Sequence, residues 1–165
     1  MDYGKKELTI NKAVLEDVSL ITSIKTKAYR DEKERFKPNE DEIPKWFYNE
    51  WYTDNKETSR LIEKYYYYKI EKGNDVIGCF WLHDVDENTI ELEDFCILPA
   101  FQGNGYGYEV LSMMENLFPK KKKWKLGTPF YSVRNQHLYK KVGYCKVGTA
   151  AEDTVFLYEK NIVVQ

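Results

Sequence analysis

Apolar residues recur at two different periods along this chain, and the switch between them divides it. Glu7–Ala13 (ELTINKA) alternates as a first strand. Behind Asp17, a candidate N-cap, Val18, Ile21, Ile24 and Ala28 recur at helical spacing and predict a helix to Tyr29. A charged stretch follows, ending near Pro38 to Asp41. Ile43, Phe47 and Trp51 then predict a second helical region, and a short third helix is expected near Ser59–Glu63. From Tyr65 the period becomes two. Tyr65–Glu71 and Val76–Asp84 read as strands joined by the turn Lys72–Asp75, and Asp86–Asn88 turns the chain into the strand Thr89–Leu98. Helical spacing returns over Gly107–Phe118, with Val110, Leu111, Met114 and Leu117 on one side and Pro119 as the stop. Trp124–Gly127 is a short strand, and Asn135–Val142 is a helix closed by Gly143. Tyr144–Val147 and Thr154–Lys160 end the series as strands.

This order sets antiparallel hairpins ahead of a strand–helix–strand crossover. The expected fold is α/β, a mixed and mostly antiparallel sheet of about seven strands with helices on both faces. Residues 1–165 suit one domain. Alternation along Thr89–Leu98 puts Glu91, Glu93 and Ile97 on one face of the sheet and Leu92, Asp94 and Cys96 on the other.

Composition narrows the function by exclusion. The formal net charge of −2 offers no basic excess for nucleic acid, and Lys120–Lys123 reads as a solvated turn. No apolar stretch approaches the ~20 residues a membrane helix needs. The N-terminal MDYGKKELTI lacks a signal-peptide core, so a cytoplasmic protein is expected. The 3 cysteines are widely spaced and suggest neither a disulfide framework nor a CxxC metal site, and the 2 histidines are too far apart to suggest a metal centre. Aromatics are abundant, with 14 tyrosines. Trp46, Phe47, Tyr48 and Trp51 beside Glu40, Asp41 and Glu42 would suit a cationic ligand, but the same pattern describes a packed helix face with a solvated first turn.

The chemistry concentrates in Ile97–Gly107, ILPAFQGNGYG, between a strand and a helix. Gly103, Gly105 and Gly107 fit neither GxxxxGK[ST] nor GxGxxG, whose third glycine would fall on Tyr108 or Val110. Gln102, Gly105 and Gly107 form Gln-x-x-Gly-x-Gly. At the start of a helix, where the first amides are unpaired, glycines let a diphosphate approach the backbone.

Here the chain resembles the GCN5-related N-acetyltransferases. Their apolar-x-Pro-x-x-[Gln/Arg]-x-x-Gly-x-[Gly/Ala] signature is matched by Ile97, Pro99, Gln102, Gly105 and Gly107. Their Leu-Tyr-x-x-x-Gly-[Phe/Tyr] signature is matched by Leu138, Tyr139, Gly143 and Tyr144. Leu92–Phe95 (LEDF) is similar to the matching strand of the spermidine/spermine and thialysine-type acetyltransferases. The resemblance implies acetyl transfer from acetyl-CoA, as co-substrate, to a primary amine by direct attack, with no metal. It assigns the pyrophosphate to amides of Gly103, Asn104, Gly105, Tyr106, Gly107 and Tyr108, next to Gln102. It assigns the pantetheine arm to the unpaired backbone of Phe95, Cys96 and Ile97, with an amide at or near Ile97 donating to the thioester oxygen.

Tyr139 is the implied general acid, since a phenol near ~10 and a thiolate near ~8.5 are matched closely enough for proton transfer. Glu93, then Glu91, are the implied proton acceptors, through water or directly. The family places an Asn seven residues before the tyrosine; Ser132 stands there and Asn135 follows, and either is a candidate contact to the cofactor arm. Cys96 reads as a small apolar strand residue rather than a nucleophile. The acceptor stays open between a polyamine, an amino-acid-like amine, an aminoglycoside and a protein amine, and a homodimer is compatible. A non-catalytic acyl-CoA-binding sensor is the alternative.

Overall fold

The computed structural model describes residues 7–163; residues 1–6, read above for a leader, lie outside them. The elements are β1 (Leu8–Lys12), α1 (Val18–Phe36), α2 (Asn55–Lys64), β2 (Tyr66–Lys72), β3 (Asp75–Asp84), β4 (Thr89–Ile97), α3 (Tyr106–Met114), β5 (Lys123–Pro129), α4 (Val133–Lys141), β6 (Cys145–Ala150) and β7 (Val155–Asn161). The strands form one 7-stranded sheet in the order β1-β2-β3-β4-β5-β7-β6. Neighbours are antiparallel except β4 and β5, which the α3 crossover makes parallel. This is the expected mixed, mostly antiparallel sheet.

Helices cover both faces and enclose two cores. On one face Val110, Leu111 and Met114 of α3 pack with Ile90, Leu92, Trp124, Tyr139 and Tyr158. On the other, Ile21, Ile24 and Ala28 of α1 and Leu61 of α2 pack with Tyr67, Cys79 and Cys96. The tyrosine run divides between them, Tyr68 in the first core and Tyr67 in the second.

Three helix expectations change. α1 does not stop at Tyr29, because its inward stripe of Ile21, Lys25 and Ala28 continues on the helical period to Glu32. It ends where Lys37 turns left-handed at φ 43 and its N–H reaches the Lys33 carbonyl. Ile43–Trp51 is not an α-helix but part of three 3-10 turns, Glu40–Glu42, Lys45–Asn49 and Trp51–Thr53. Pro44 lacks the amide that would join the first two, and Glu50 at φ 45 breaks the path into the third. Asp54 then caps α2 by accepting from the Lys56 amide at 2.9 Å, so that helix begins earlier than Ser59. Among the described residues no helix is long and apolar enough to cross a membrane.

Candidate active site

The site forms where the parallel strands part. β4 pairs with β5 only from Thr89↔Lys123 to Leu92↔Leu126. Beyond that, Gly127–Pro129 pairs with β7 alone and β4 leans on β3 alone. A groove enclosing about 310 Å³ opens in the gap, lined among others by Tyr29, Glu32, Asp94, Ile97, Gly105 and Tyr139.

A bulge aims the side chains of β4. Cys79 stands opposite Cys96 and Trp81 opposite Glu93, so two residues, Asp94 and Phe95, face the single Phe80. Asp94 takes the left-handed conformation, φ 50, that the extra residue requires. The inserted residue overturns the facing expected from alternation. Leu92, Phe95 and Ile97 belong to the α3 side, and Cys96 belongs to the α1 side. Asp94 also points to α1, where its carboxylate accepts from Tyr29 Oη and Trp81 Nε1, both at 2.9 Å. Tyr29 is itself held by Phe47, Trp51 and Tyr52, with ring centroids 5.9, 5.6 and 5.0 Å away. Phe47, Trp51 and Tyr52 therefore serve as packing that fixes Tyr29 and, through it, Asp94, while Trp46 and Tyr48 of the same segment stay exposed.

At the other end, the chain from Gly103 to α3 presents backbone. The first intrahelical bond of α3 runs from the Glu109 amide to the Gly105 carbonyl at 3.1 Å, so the amides before it have no helical acceptor. Gly103 and Gly105 sit at φ 81 and 82, and a Cβ on Gly105 would meet nothing within 4 Å. That turn is a bare, left-handed approach to the positive end of a helix, and it fits an anionic ligand. Gly107 does different work: a Cβ there would lie 2.9 Å from Leu138 Cδ2, so this glycine lets α3 and α4 close on each other. Gln102 braces the turn, donating to the Ile97 carbonyl at 2.8 Å and accepting from Arg134 Nη1 at 3.0 Å.

α4 positions Tyr139 through its C-terminal cap. Gly143 is left-handed at φ 105, the Tyr144 amide bonds the Tyr139 carbonyl at 3.0 Å, and the Gly143 amide bonds the Lys140 carbonyl at 3.1 Å. These two bonds define a Schellman motif, and the Tyr139 and Tyr144 rings, 6.0 Å apart, supply its apolar contact. The Leu-Tyr-x-x-x-Gly-Tyr spacing is thus the sequence of a helix cap whose third-from-last residue is Tyr139. Burial raises the Tyr139 phenol above its usual value, with Glu32 the next cause. Tyr139 therefore keeps its proton at neutral pH and is a weaker acid than an exposed phenol.

The acidic residues form two groups. Glu32 lines the groove, where burial raises its carboxyl, and Asn135 Nδ2 reaches it at 3.4 Å. Glu93 and Glu91 lie next to the groove rather than in its wall, grouped with His83 so that their donor atoms fall within 4.8 Å of one another. Burial, then Glu91 and Asp94, push the Glu93 carboxyl up to about 8.

Of the residues expected from sequence, Phe95, Cys96, Ile97, Gln102, Gly103, Gly105, Tyr106, Gly107, Tyr108, Asn135 and Tyr139 line the groove together. Asn104 is turned to the Phe101 and Gln102 carbonyls, and Ser132 is fully buried at the N-cap of α4, outside the lining. Cys96 is buried, and its contact with Cys79, 3.6 Å between sulfurs, raises its thiol well above the usual range along with burial. That suppresses the thiolate a nucleophile would need. Sequence reasoning missed Glu32, Asp94 and Arg134. Arg134, Leu138 and Lys141 fall at i, i+4 and i+7 on α4, the spacing that would have revealed a basic groove face.

The sequence matches the acetyltransferase (GNAT) family over residues 26–144. Among solved structures, PaiA N-acetyltransferase from Thermoplasma acidophilum, crystallised with coenzyme A, is 19% identical with a TM-score of 0.77, covering 94% of this chain and 99% of its own. A GNAT-family acetyltransferase from Streptococcus agalactiae is 17% identical at TM-score 0.80, over 95% and 96% of the two chains. Spermidine N-acetyltransferase from Vibrio cholerae, in complex with CoA and spermine, is 16% identical at TM-score 0.68, over 93% and 95%. At these identities the likenesses speak to the fold. No curated protein matches the sequence.

Proposed function

This chain belongs to the acetyltransferase (GNAT) family of acetyl-CoA-dependent N-acyltransferases, and from that premise we propose that it moves the acetyl group to a cationic primary amine by direct attack, the whole chain acting as one domain. The diphosphate of the co-substrate rests on the amides between Gly103 and Tyr108, with Arg134 as a guanidinium partner. The pantetheine arm follows the edge of Phe95–Ile97 that β5 leaves free, against Asn135. An amide of that edge donates to the thioester oxygen as charge develops there. Glu93, with Glu91 second, removes the ammonium proton through water, and the neutral nitrogen attacks the thioester carbon. Tyr139 donates a hydrogen bond to the departing sulfur, and the proton lost from nitrogen completes the thiol.

The observation that supports this reading most is the parting of β4 from β5 with an unpaired amide run at one end and Tyr139 in the same groove. A cationic acceptor is favoured because Glu32, Asp94 and the Glu91–Glu93 pair all lie on the α1 side of the sheet, where an ammonium would be stabilised. Polyamines, amino-acid-like amines, aminoglycosides and protein amines share that charge. A panel of these acceptors with acetyl-CoA, scored by thiol release, tests the proposal. Release with cationic primary amines is expected; coenzyme A binding without release for any amine would replace it with the sensor reading.

A further inference from the structure

At neutral pH, acetylating an ammonium group consumes R–NH3+ and the thioester and yields the amide, the thiol and one proton, which must leave the site each turnover. Glu93 stands beside the groove on β4, and one imidazole stands beside Glu93. His83 Nε2 is 3.4 Å from Glu93 Oε1 and 3.7 Å from Glu91 Oε2. The register explains the closeness, since His83 faces Glu91 directly across β3 and β4 and Glu93 diagonally. Aromatic neighbours frame the ring, Trp81 at 5.5 Å and Tyr65 at 5.9 Å between centroids. The side chain nonetheless keeps 27% of its surface accessible. One nitrogen meets the carboxylates while part of the ring meets water.

We infer that His83 is the proton exit of this enzyme, a positioning residue that takes from Glu93 the proton collected from the acceptor ammonium and releases it to solvent. The inference rests on the proposed role of Glu93. The sequence of transfers balances. The Glu93 carboxylate takes H+ from R–NH3+ and leaves R–NH2. The neutral His83 imidazole takes that H+ from the Glu93 carboxyl and restores the carboxylate. The imidazolium passes H+ to water or buffer. Glu91 faces the same nitrogen, 3.7 Å away. No electrons change hands, and the only co-reactant is the solvent.

His83→Ala is expected to lower kcat about tenfold in dilute non-imidazole buffer. It leaves the acceptor KM and the coenzyme A Kd unchanged, and added imidazole restores kcat in proportion to its concentration. A packing role alone would not give rescue that tracks the imidazole free-base fraction as pH is varied. Unchanged kcat in His83→Ala, with Glu93→Gln impaired, overturns the exit and leaves the Glu93 role standing. Unimpaired Glu93→Gln removes both. A second readout needs no turnover. With only 2 histidines in the chain, the ring 15N resonances are assignable by His137→Gln. Glu93→Gln is expected to move the His83 ring resonances and leave those of His137 in place; unmoved His83 resonances overturn the contact and the inference.

Discussion

The two ends of the groove are made of different materials. The turn from Gly103 into α3 offers main-chain amides, two left-handed glycines and an open approach, and its side chains mostly brace it from behind. The opposite end, where we propose the acceptor binds, is built from side chains on β3, β4 and α1, each aimed by something distant. Tyr29 holds Asp94, a bulge turns Asp94 toward α1, and His83 and Glu91 crowd Glu93. Backbone makes a site for any ligand with the right charge; side chains on separate elements make one that a single change in register can redesign. The first end should therefore respond to changes in charge and shape, and the second to changes in protonation.

The sharpest break is Gly105→Glu, which places a carboxylate where the anion is expected and should weaken coenzyme A binding by about a thousandfold in calorimetry. Gly105→Asn, which tolerates a left-handed φ, should change it only a few-fold. Glu93→Gln should lower kcat/KM for the amine by about several hundred-fold while leaving the coenzyme A Kd alone. It should also remove a limb of the pH profile: Glu93 accepts a proton only when ionised, so activity in the parent rises with pH toward a plateau above about 8. Stability runs the other way. A folded-state value above the ~4.3 of an unfolded glutamate means that ionising Glu93 opposes folding. Its contribution is full at low pH and is lost as pH rises from ~4.3 to about 8, and Glu93→Gln should flatten that decline in thermal melts. The side chain is 37% exposed, so solvent keeps this slope shallow. Tyr139→Phe should reduce kcat about a hundredfold with cofactor affinity intact, the loss of one donor at the sulfur. The smallest effect belongs to Gly107→Ala, about 1 kcal/mol of folding stability as Leu138 gives way, read in urea denaturation with coenzyme A affinity nearly unchanged.

The same contrast governs what the amino-acid sequence reveals. Gly103, Gly105 and the Tyr139–Tyr144 cap are local devices, and local devices leave fixed spacings, so the glycine turn and the helix cap at that end of the groove were legible in the sequence. The succession of hairpins and the one crossover followed from the turn signals, whereas the insertion of β7 between β5 and β6 left no such signal. Asp94 was misassigned because a bulge is a relation between two strands, and nothing in Leu92–Phe95 announces where β3 will fall one residue short. Glu32 was hidden by reading the charged stretch after Tyr29 as the end of a helix, although its place on the stripe of Ile21, Lys25 and Ala28 was there to be counted. The 3-10 turns escaped because Ile43, Phe47 and Trp51 keep a helical spacing while Pro44 and Glu50 deny it a helical backbone. Arg134 and His83 belong to sites shared between elements, and their meaning depends on neighbours remote in sequence.

The short reach of β4 along β5 also bears on mechanics. Among the described residues, four pairs, Thr89↔Lys123 to Leu92↔Leu126, are the only strand ladder joining the β1–β4 half of the sheet to the β5–β7 half. A molecule lying in the gap touches both margins of that seam, as a staple would. Amide exchange at Leu92, Leu126 and their neighbours should accordingly slow when coenzyme A is added, and the two half-sheets should come apart there first when it is withheld.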